Sequence, residues 1–503
     1  MTARCLMVQG TTSGAGKSLL TAALCRLFAR AGLRVAPFKA QNMALNAAVT
    51  ADGGEIGRAQ AAQAEAAGVE PTVDMNPILL KPEPGGRSQV VVRGVALGSM
   101  TFDEYRARRT RWQAVIADSL ARLRAAHDLV LIEGAGSPAE INLAADDLAN
   151  MAVARLAGAP VLLVGDVDRG GVFAAFVGTL ALLAPEDRAR VAGLVVNKFR
   201  GDPLILRPGL EAVAARTGVP VLGVVPWLGR GLLPAEDSLD LEDWAPPGDG
   251  RLDIAAVRLP HIANFDDLEP LAAEPGVRVR LIGGPAGLPG ADLVLLPGSK
   301  STVADLTWLR SRGLDRALRE AVGEGTPLIG VCGGYQMLGL ALHDPDGVES
   351  AVPSAAGLGL LPVVTWFAGR KRTARVRARV SAGAGCLGGA AGAEVQGYEI
   401  HVGRTAVGSA RPPFVVVERH GRRVEDPDGA VSADGRVLGT YLHGIFADPA
   451  LRRALLEWLA TRRGVPPDPR WGQTGAASAR YDRLADQVGA ALDIKAVAAL
   501  VGL

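Results

Sequence analysis

Lysine is almost absent from this chain: of 54 basic residues in 503, seven are Lys and the rest are Arg. Cysteine is scarcer still. Cys5, Cys25, Cys332 and Cys386 include no Cys-x-x-Cys spacing. Four such residues are too few for a disulfide scaffold, so a reducing cytoplasm is the expected setting. Net charge is also missing, because 52 acidic residues leave only +2. That balance gives no electrostatic reason to expect nucleic acid or an anionic membrane as a partner. No run is long and apolar enough to span a bilayer. The apolar start within residues 1–10 is too short for the core of a signal peptide and reads as a first strand. What is present is core material: 49% of residues are hydrophobic and 21% charged. The length suggests about two to four domains. Four of the seven lysines (Lys17, Lys39, Lys198 and Lys300) fall inside the motifs below, as if a drift toward Arg stopped where a compact ammonium is needed.

The first half alternates short β-like runs with helical stretches. Strands are predicted over 5–9, 35–38, 129–132, 161–164, 193–196 and 221–225, and helices over stretches such as 19–31 and 111–126. Such alternation implies a parallel sheet covered on both faces. Residues 234–251 are acidic and rich in Pro and Gly, and read as a linker between a first domain over 1–233 and a second over 252–450. A new α/β pattern follows, with strands over 254–258, 277–282, 293–296 and 328–331, then β-like runs near 376–380 and 414–418. The Gly/Ala-rich stretch 383–393 reads as a flexible loop, and 451–503 as a C-terminal helical extension. The predicted fold is α/β in two domains, the first a doubly wound parallel sheet and the second a separate α/β unit.

Three strand ends carry the chemistry of the first half. Gly10-Thr-Thr-Ser-Gly14-Ala-Gly16-Lys17-Ser18 follows the first strand and opens the first helix. Backbone N–H groups of such a loop and the helix N-terminus form an anion site. Gly14 and Gly16 let the chain wrap phosphate, Lys17 reaches the β- and γ-phosphates of ATP, and Ser18 ligates Mg2+. The loop has five residues between Gly10 and Gly16, one more than the strict phosphate-loop pattern. Leu129-Val-Leu-Ile-Glu133 is an apolar strand ending in a carboxylate, which a parallel sheet delivers to the ligand crevice. Glu133 is therefore a candidate Mg2+ ligand or water-positioner. Asn197 ends its own strand in the same way and could meet the adenine edge.

The second half carries a nucleophile. Pro327-Leu-Ile-Gly-Val-Cys332-Gly333-Gly places a Cys between an apolar strand and a Gly-rich helix start, the arrangement of a nucleophile elbow. A helix N-terminus there stabilises a thiolate. The thiolate needs a base. His443, 111 residues on in Thr-Tyr-Leu-His-Gly, and His401, in Gly-Tyr-Glu-Ile-His, both follow β-like runs beside Gly. Spacing alone does not choose between them. Leu296-Pro-Gly298-Ser-Lys-Ser ends another strand, and with Gly333 offers backbone N–H groups for an oxyanion.

With Cys332 and His443 in place, the second half resembles the class I glutamine amidotransferase domains. The first half resembles the dethiobiotin-synthetase-like ATPases. The combination resembles the cobalamin-pathway amidases, and among them closely the cobyric acid synthase family. Stretches spread along the chain carry this: Phe38-Lys-Ala-Gln-Asn-Met-Ala-Leu-Asn46, Asp52-Gly-Gly-Glu-Ile-Gly-Arg-Ala-Gln60, Asp168-Arg-Gly-Gly-Val-Phe173, Asn197-Lys-Phe-Arg-Gly-Asp202, Leu296-Pro-Gly-Ser-Lys-Ser-Thr302 and Tyr441-Leu-His-Gly444. The resemblance implies amidation of the b, d, e and g carboxylates of adenosylcobyrinic acid a,c-diamide. Each step would use ATP with Mg2+ through an acyl phosphate, and glutamine as nitrogen donor. It assigns the base to His443 and adds Asp52 as a metal ligand. The residue two after the base, often Glu in class I domains, is here Ile445. Glu399 or a backbone carbonyl are then the candidates for orienting His443. Two rival readings are an a,c-diamide synthase of the same pathway and a ParA-like ATPase switch with a vestigial second domain. The stretches 38–46 and 197–202 argue against the former, and the Cys332/His443 pair against the latter.

Overall fold

The computed structural model describes residues 2–229, 231–234, 250–367, 371–473 and 477–503. The predicted linker, 234–251, lies almost entirely outside the described residues. The first half is a parallel six-stranded sheet, built from β1 (Arg4–Gly10), β2 (Val35–Phe38), β3 (Leu129–Glu133), β4 (Val161–Asp166), β5 (Val191–Phe199) and β6 (Val221–Pro226) in the order β6-β5-β4-β1-β3-β2. The central strands are buried along their length, which explains their unbroken apolar runs. Helix α1 (Lys17–Arg30) returns along one face after the phosphate loop, and α2 (Arg58–Ala67) packs against α1. A small four-stranded sheet between residues 41 and 101 is inserted before β3.

The second half has its own sheet. Strands β7 (Leu252–Val257), β8 (Val277–Ile282), β9 (Leu293–Leu296), β10 (Leu328–Val331), β11 (Ala430–Val431) and β12 (Val437–Thr440) run in the order β8-β7-β9-β10-β12-β11. All neighbours are parallel except the edge pair β11 and β12. Beside it stands an antiparallel sheet in which Arg372–Val380 lies between Glu394–His401 and Phe414–Arg419.

Two regions differ from expectation. Residues 383–393 are not a loose loop: Gly385–Ala390 form a 3-10 helix that buries Cys386 and Leu387. Small residues are used there for close packing, since a methyl on Gly389 would lie 3.3 Å from Ala454. Nor are the residues after 450 one appendage. Helix α4 (Pro449–Arg463), capped by the Asp448 carboxylate accepting from Leu451 N at 2.8 Å, buries Leu451, Leu455 and Leu459 in the second core. Helices α5 (Ala477–Ala491) and α6 (Ile494–Ala499) instead return to the first half. They bury Tyr481, Leu484, Val488 and Val497 against α1 and its sheet. The Asp493 N–H donates to Leu222 O at 2.8 Å, so the C-terminus covers the β6 edge. All four cysteines are buried and free, and no described helix is long and apolar enough to cross a membrane.

Candidate active site

Strand β10 delivers Cys332 to a sharp turn into the short helix α3 (Gly333–Leu338). Its φ of 52° puts a non-glycine residue in left-handed backbone space, a strain that persists where surrounding packing enforces it. The neighbouring glycine permits the packing: a methyl on Gly334 would fall 2.0 Å from Leu296 O. Cys332 is 7% exposed, with Sγ 3.4 Å from Ile400 O.

His443 follows β12 and exchanges two backbone hydrogen bonds with Tyr398, of 2.9 and 3.1 Å, so its main chain is held to the antiparallel sheet. Its Nδ1 lies 2.7 Å from Asp267 Oδ2, while Asp267 Oδ1 accepts from Gly444 N at 2.6 Å. With Nδ1 committed to Asp267, the Cys332 side chain lies near enough to the ring to favour its proton. Burial alone would depress the proton affinity of His443. The Asp267 charge and hydrogen bond, joined by Cys332, overcome it and push the pKa up to about 10. The arrangement sets a buried thiol, an imidazole and a buried carboxylate in series, the layout of a nucleophile triad.

Asp267 replaces the orienting partners expected from sequence. Glu399 does not reach His443; its carboxylate takes two hydrogen bonds from Arg419, at 2.8 and 3.2 Å. Asp267 lies 176 residues before His443, in a 3-10 turn (Phe265–Leu268) after β7. The only signal in the sequence is the adjacent pair Asp266-Asp267. His401, the rival base, has no carboxylate partner among the described residues. Burial and the nearby Arg372 hold its pKa down to about 3, so the ring is neutral.

The two oxyanion candidates crowd the same space. A methyl on Gly298 would lie 3.0 Å from His443 Cε1, and one on Gly333 2.9 Å from Ser299 N. The loop after β9 is braced by Ser299 Oγ, which donates to Asp305 Oδ2 at 2.7 Å and accepts from Ser301 N at 3.0 Å. Lys300 Nζ leaves it to meet Glu83 of the first half at 2.7 Å.

In the first half, Gly16 has φ 94°, and a methyl there would fall 2.1 Å from Asn197 Nδ2. That amide donates to Ala15 O at 2.8 Å, so Asn197 braces the loop from below with its nitrogen. Lys198 Nζ, between Gly14 O at 2.6 Å and Asp166 Oδ2 at 2.9 Å, holds the loop from the side. Lys17 Nζ donates to the carbonyls of Thr12, Ser13 and Gly136 at 2.9–3.1 Å. Ser18 Oγ lies 2.8 Å from Glu133 Oε1, bringing two of the three metal candidates together. Glu133, 1% exposed, also takes hydrogen bonds from Lys39 at 2.9 Å and from Gln63 of α2 at 2.5 Å. Gln63 sits in an Ala-rich helix with no motif around it.

Asp52, the third metal candidate, makes no hydrogen bond to this cluster among the described residues. It lies exposed in the turn between Ala47–Val49 and Glu55–Gly57, where Thr50 Oγ1 donates to it. The adjacent Gly53 faces His420 of the second half. A hairpin tip carries its carboxylate away from a strand-end crevice, so the sequence order of a motif did not translate into proximity.

The two halves grip each other beside the triad. Arg58, at the start of α2, lies 3.1 Å from Asp266, and Asn264 Nδ2 donates to Ala47 O at 3.0 Å.

Comparison with known proteins covers the chain twice over. The CobQ/CobB/MinD/ParA nucleotide binding domain family matches residues 6–230, and the CobB/CobQ-like glutamine amidotransferase domain family matches residues 253–451. The curated relatives include cobyric acid synthase of Sorangium cellulosum, 57% identical over 100% of this chain and 99% of its own length. Those of Moorella thermoacetica and Pelotomaculum thermopropionicum are 50% and 51% identical, over 100% of this chain and 98% and 97% of theirs. With both halves matched and identity this high from end to end, the chain belongs to the cobyric acid synthase family.

Proposed function

We propose that this enzyme amidates the b, d, e and g carboxylates of adenosylcobyrinic acid a,c-diamide to adenosylcobyric acid, in cobalamin biosynthesis, using one glutamine and one ATP at each carboxylate. The observation that carries this is the Cys332–His443–Asp267 constellation, with its 2.7 Å His–Asp contact, in one chain with a phosphate loop. Neither rival explains both: an ATPase switch has no use for an assembled nucleophile, and the full-length relatives carry the name of the synthase, not of the a,c-diamide enzyme.

In the glutaminase half, the Cys332 thiolate attacks the carboxamide carbon of glutamine. The oxyanion takes backbone N–H groups near Gly298 and Gly333. His443, charged and oriented by Asp267, gives its proton to the departing ammonia, then takes one from the water that releases glutamate. In the other half, a free carboxylate resists ammonia because it lacks a leaving group. Transfer of the γ-phosphoryl group of ATP supplies one, and ammonia displaces phosphate from the acyl phosphate. Lys17 serves the β- and γ-phosphates through this transfer.

Ser18 and Glu133 fit Mg2+, a hard cation that takes oxygen ligands beside phosphate. A hydroxyl and a buried carboxylate 2.8 Å apart at the head of a phosphate loop are such a donor set. When bound there, the ion neutralises phosphate charge. Lys39 and Gln63 orient the carboxylate. The partners are then glutamine, ATP and a corrinoid, in the cytoplasm.

The test is mass spectrometry of corrinoid products made from the a,c-diamide with glutamine and ATP. Four successive amide-for-acid mass steps are expected. No step on the a,c-diamide, with amidation of cobyrinic acid itself, would move the assignment to the a,c-diamide synthase.

A further inference from the structure

One buried side chain beside the thiol has no task in the mechanism above. His401 is 8% exposed, and neither ring nitrogen has a hydrogen-bond partner among the described residues. The Gly403 backbone lies near enough to favour a proton on the ring, but outside hydrogen-bonding geometry. Buried polar atoms left in this condition are uncommon in folded proteins, and each needs a physical explanation.

The ring is not loosely placed. It stacks on Tyr441 with centroids 3.8 Å apart and planes 18° from parallel. The Tyr441 hydroxyl is held by Gln336 Nε2 at 3.1 Å and Thr405 Oγ1 at 2.6 Å. Gln336 is itself tied to Thr302 Oγ1 at 3.1 Å and Val402 O at 2.9 Å. Stacking on a tethered ring sets the orientation of the imidazole without using either nitrogen. The position is next to the chemistry, because the preceding residue, Ile400, has its carbonyl 3.4 Å from Cys332 Sγ.

We propose that His401 is a glutamine-binding residue, hydrogen-bonding the substrate through its free ring edge while the carboxamide carbon sits over the Cys332 thiolate. This rests on the glutaminase reading and deepens it. A neutral imidazole offers one donor and one acceptor, which suits an uncharged polar group of the substrate better than a lone charge. Apolar replacement leaves that group of the substrate unpaired in a buried site, the situation that costs most in recognition.

The experiment uses the full chain with His401→Phe, His401→Ala and His401→Asn. Three rates are compared: glutamine hydrolysis, inactivation by the glutamine analogue 6-diazo-5-oxo-L-norleucine, and alkylation by iodoacetamide. The analogue must be recognised as glutamine, whereas iodoacetamide needs only the thiolate. The Phe and Ala variants should raise KM for glutamine by about 10- to 100-fold and slow the analogue by a similar factor. Iodoacetamide should react within about twofold of the parent rate, and Asn should recover part of the affinity. Phe keeps the stacking on Tyr441, so a Phe variant with unchanged KM shows the ring is only packing and overturns the proposal. Equal slowing of both reagents overturns it too, by placing His401 on the thiol rather than the substrate. A parent enzyme with no glutaminase activity sinks the underlying reading instead, so the two failures are distinguishable.

Discussion

Replacing Asp267 by Asn tests the triad at the member that no motif announces. The change is isosteric, so packing in the 3-10 turn survives while one negative charge is removed. Lifting His443 from 6.5 to about 10 corresponds to ~5 kcal/mol of imidazolium stabilisation, at about 1.36 kcal/mol for each tenfold in proton affinity. Burial pulls the other way, and the Asp267 charge and hydrogen bond, followed by Cys332, overcome it. Loss of the charge leaves burial opposed only by the thiolate, and an amide N–H turned toward Nδ1 would also impose the wrong tautomer. Glutaminase kcat should therefore fall by about 10²- to 10⁴-fold. The sign for pH follows. A raised imidazole pKa keeps the ion pair intact from below 6.5 through neutral pH and loses it as pH rises through about 10. In Asp267→Asn the alkaline limb of the glutaminase profile should move to lower pH. Steady-state glutamine hydrolysis from pH 5 to 10, with ammonium-driven synthesis as the folding control, reads both effects. A variant with kcat within about threefold of the parent and an unmoved limb would refute the triad.

Cys332→Ser should abolish glutamine-driven synthesis and spare synthesis from ammonium salt; in a folded variant, loss of both would deny the division of labour. Lys17→Ala should do the reverse, keeping glutamine hydrolysis while forming no amide from either nitrogen source, and unchanged amidation would remove the phosphate loop from the mechanism. Glu133→Gln should cut ATP-dependent amidation by about 10²-fold or more, with partial compensation at high Mg2+, and a metal titration identical to the parent would exclude it as a ligand. Leu484→Ala, fully buried where α5 meets the first core, should cost about 2–5 kcal/mol in denaturant unfolding; a loss well under 1 kcal/mol would mean the C-terminal helices are not integral to that domain.

What was readable without coordinates was whatever is written in consecutive residues. An apolar strand, a turn of small residues and a helix start share one short segment. Strand β10, Cys332 and Gly333 were therefore visible together, as were β1, Gly16, Lys17 and Ser18, and Glu133 at the end of β3. Parallel strands carry their chemistry at their C-terminal ends, so finding the strand located the residue. The residues that complete each centre arrive from elsewhere. Asp267 reaches His443 across 176 positions, from a turn whose sequence reads as an ordinary acidic surface. Gln63 reaches Glu133 across 70, from a helix that looks like simple Ala-rich packing. Asp52 shows the converse, a carboxylate in a conspicuous stretch that hairpin geometry turns away from the phosphate loop. The two histidines show why: both follow short strands beside glycine, and only their surroundings in space, the Asp267 carboxylate for His443 and burial beside Arg372 for His401, make one a charged base and the other a neutral imidazole. Helices α5 and α6 were visible as helices, but an amphipathic face does not name its partner. Sequence by itself determined the local elements and the nucleophile and phosphate loops they carry. The tertiary structure decided which carboxylate charges which histidine and what covers the β6 edge, because electrostatic energy and buried area depend on distances through space that chain order does not contain.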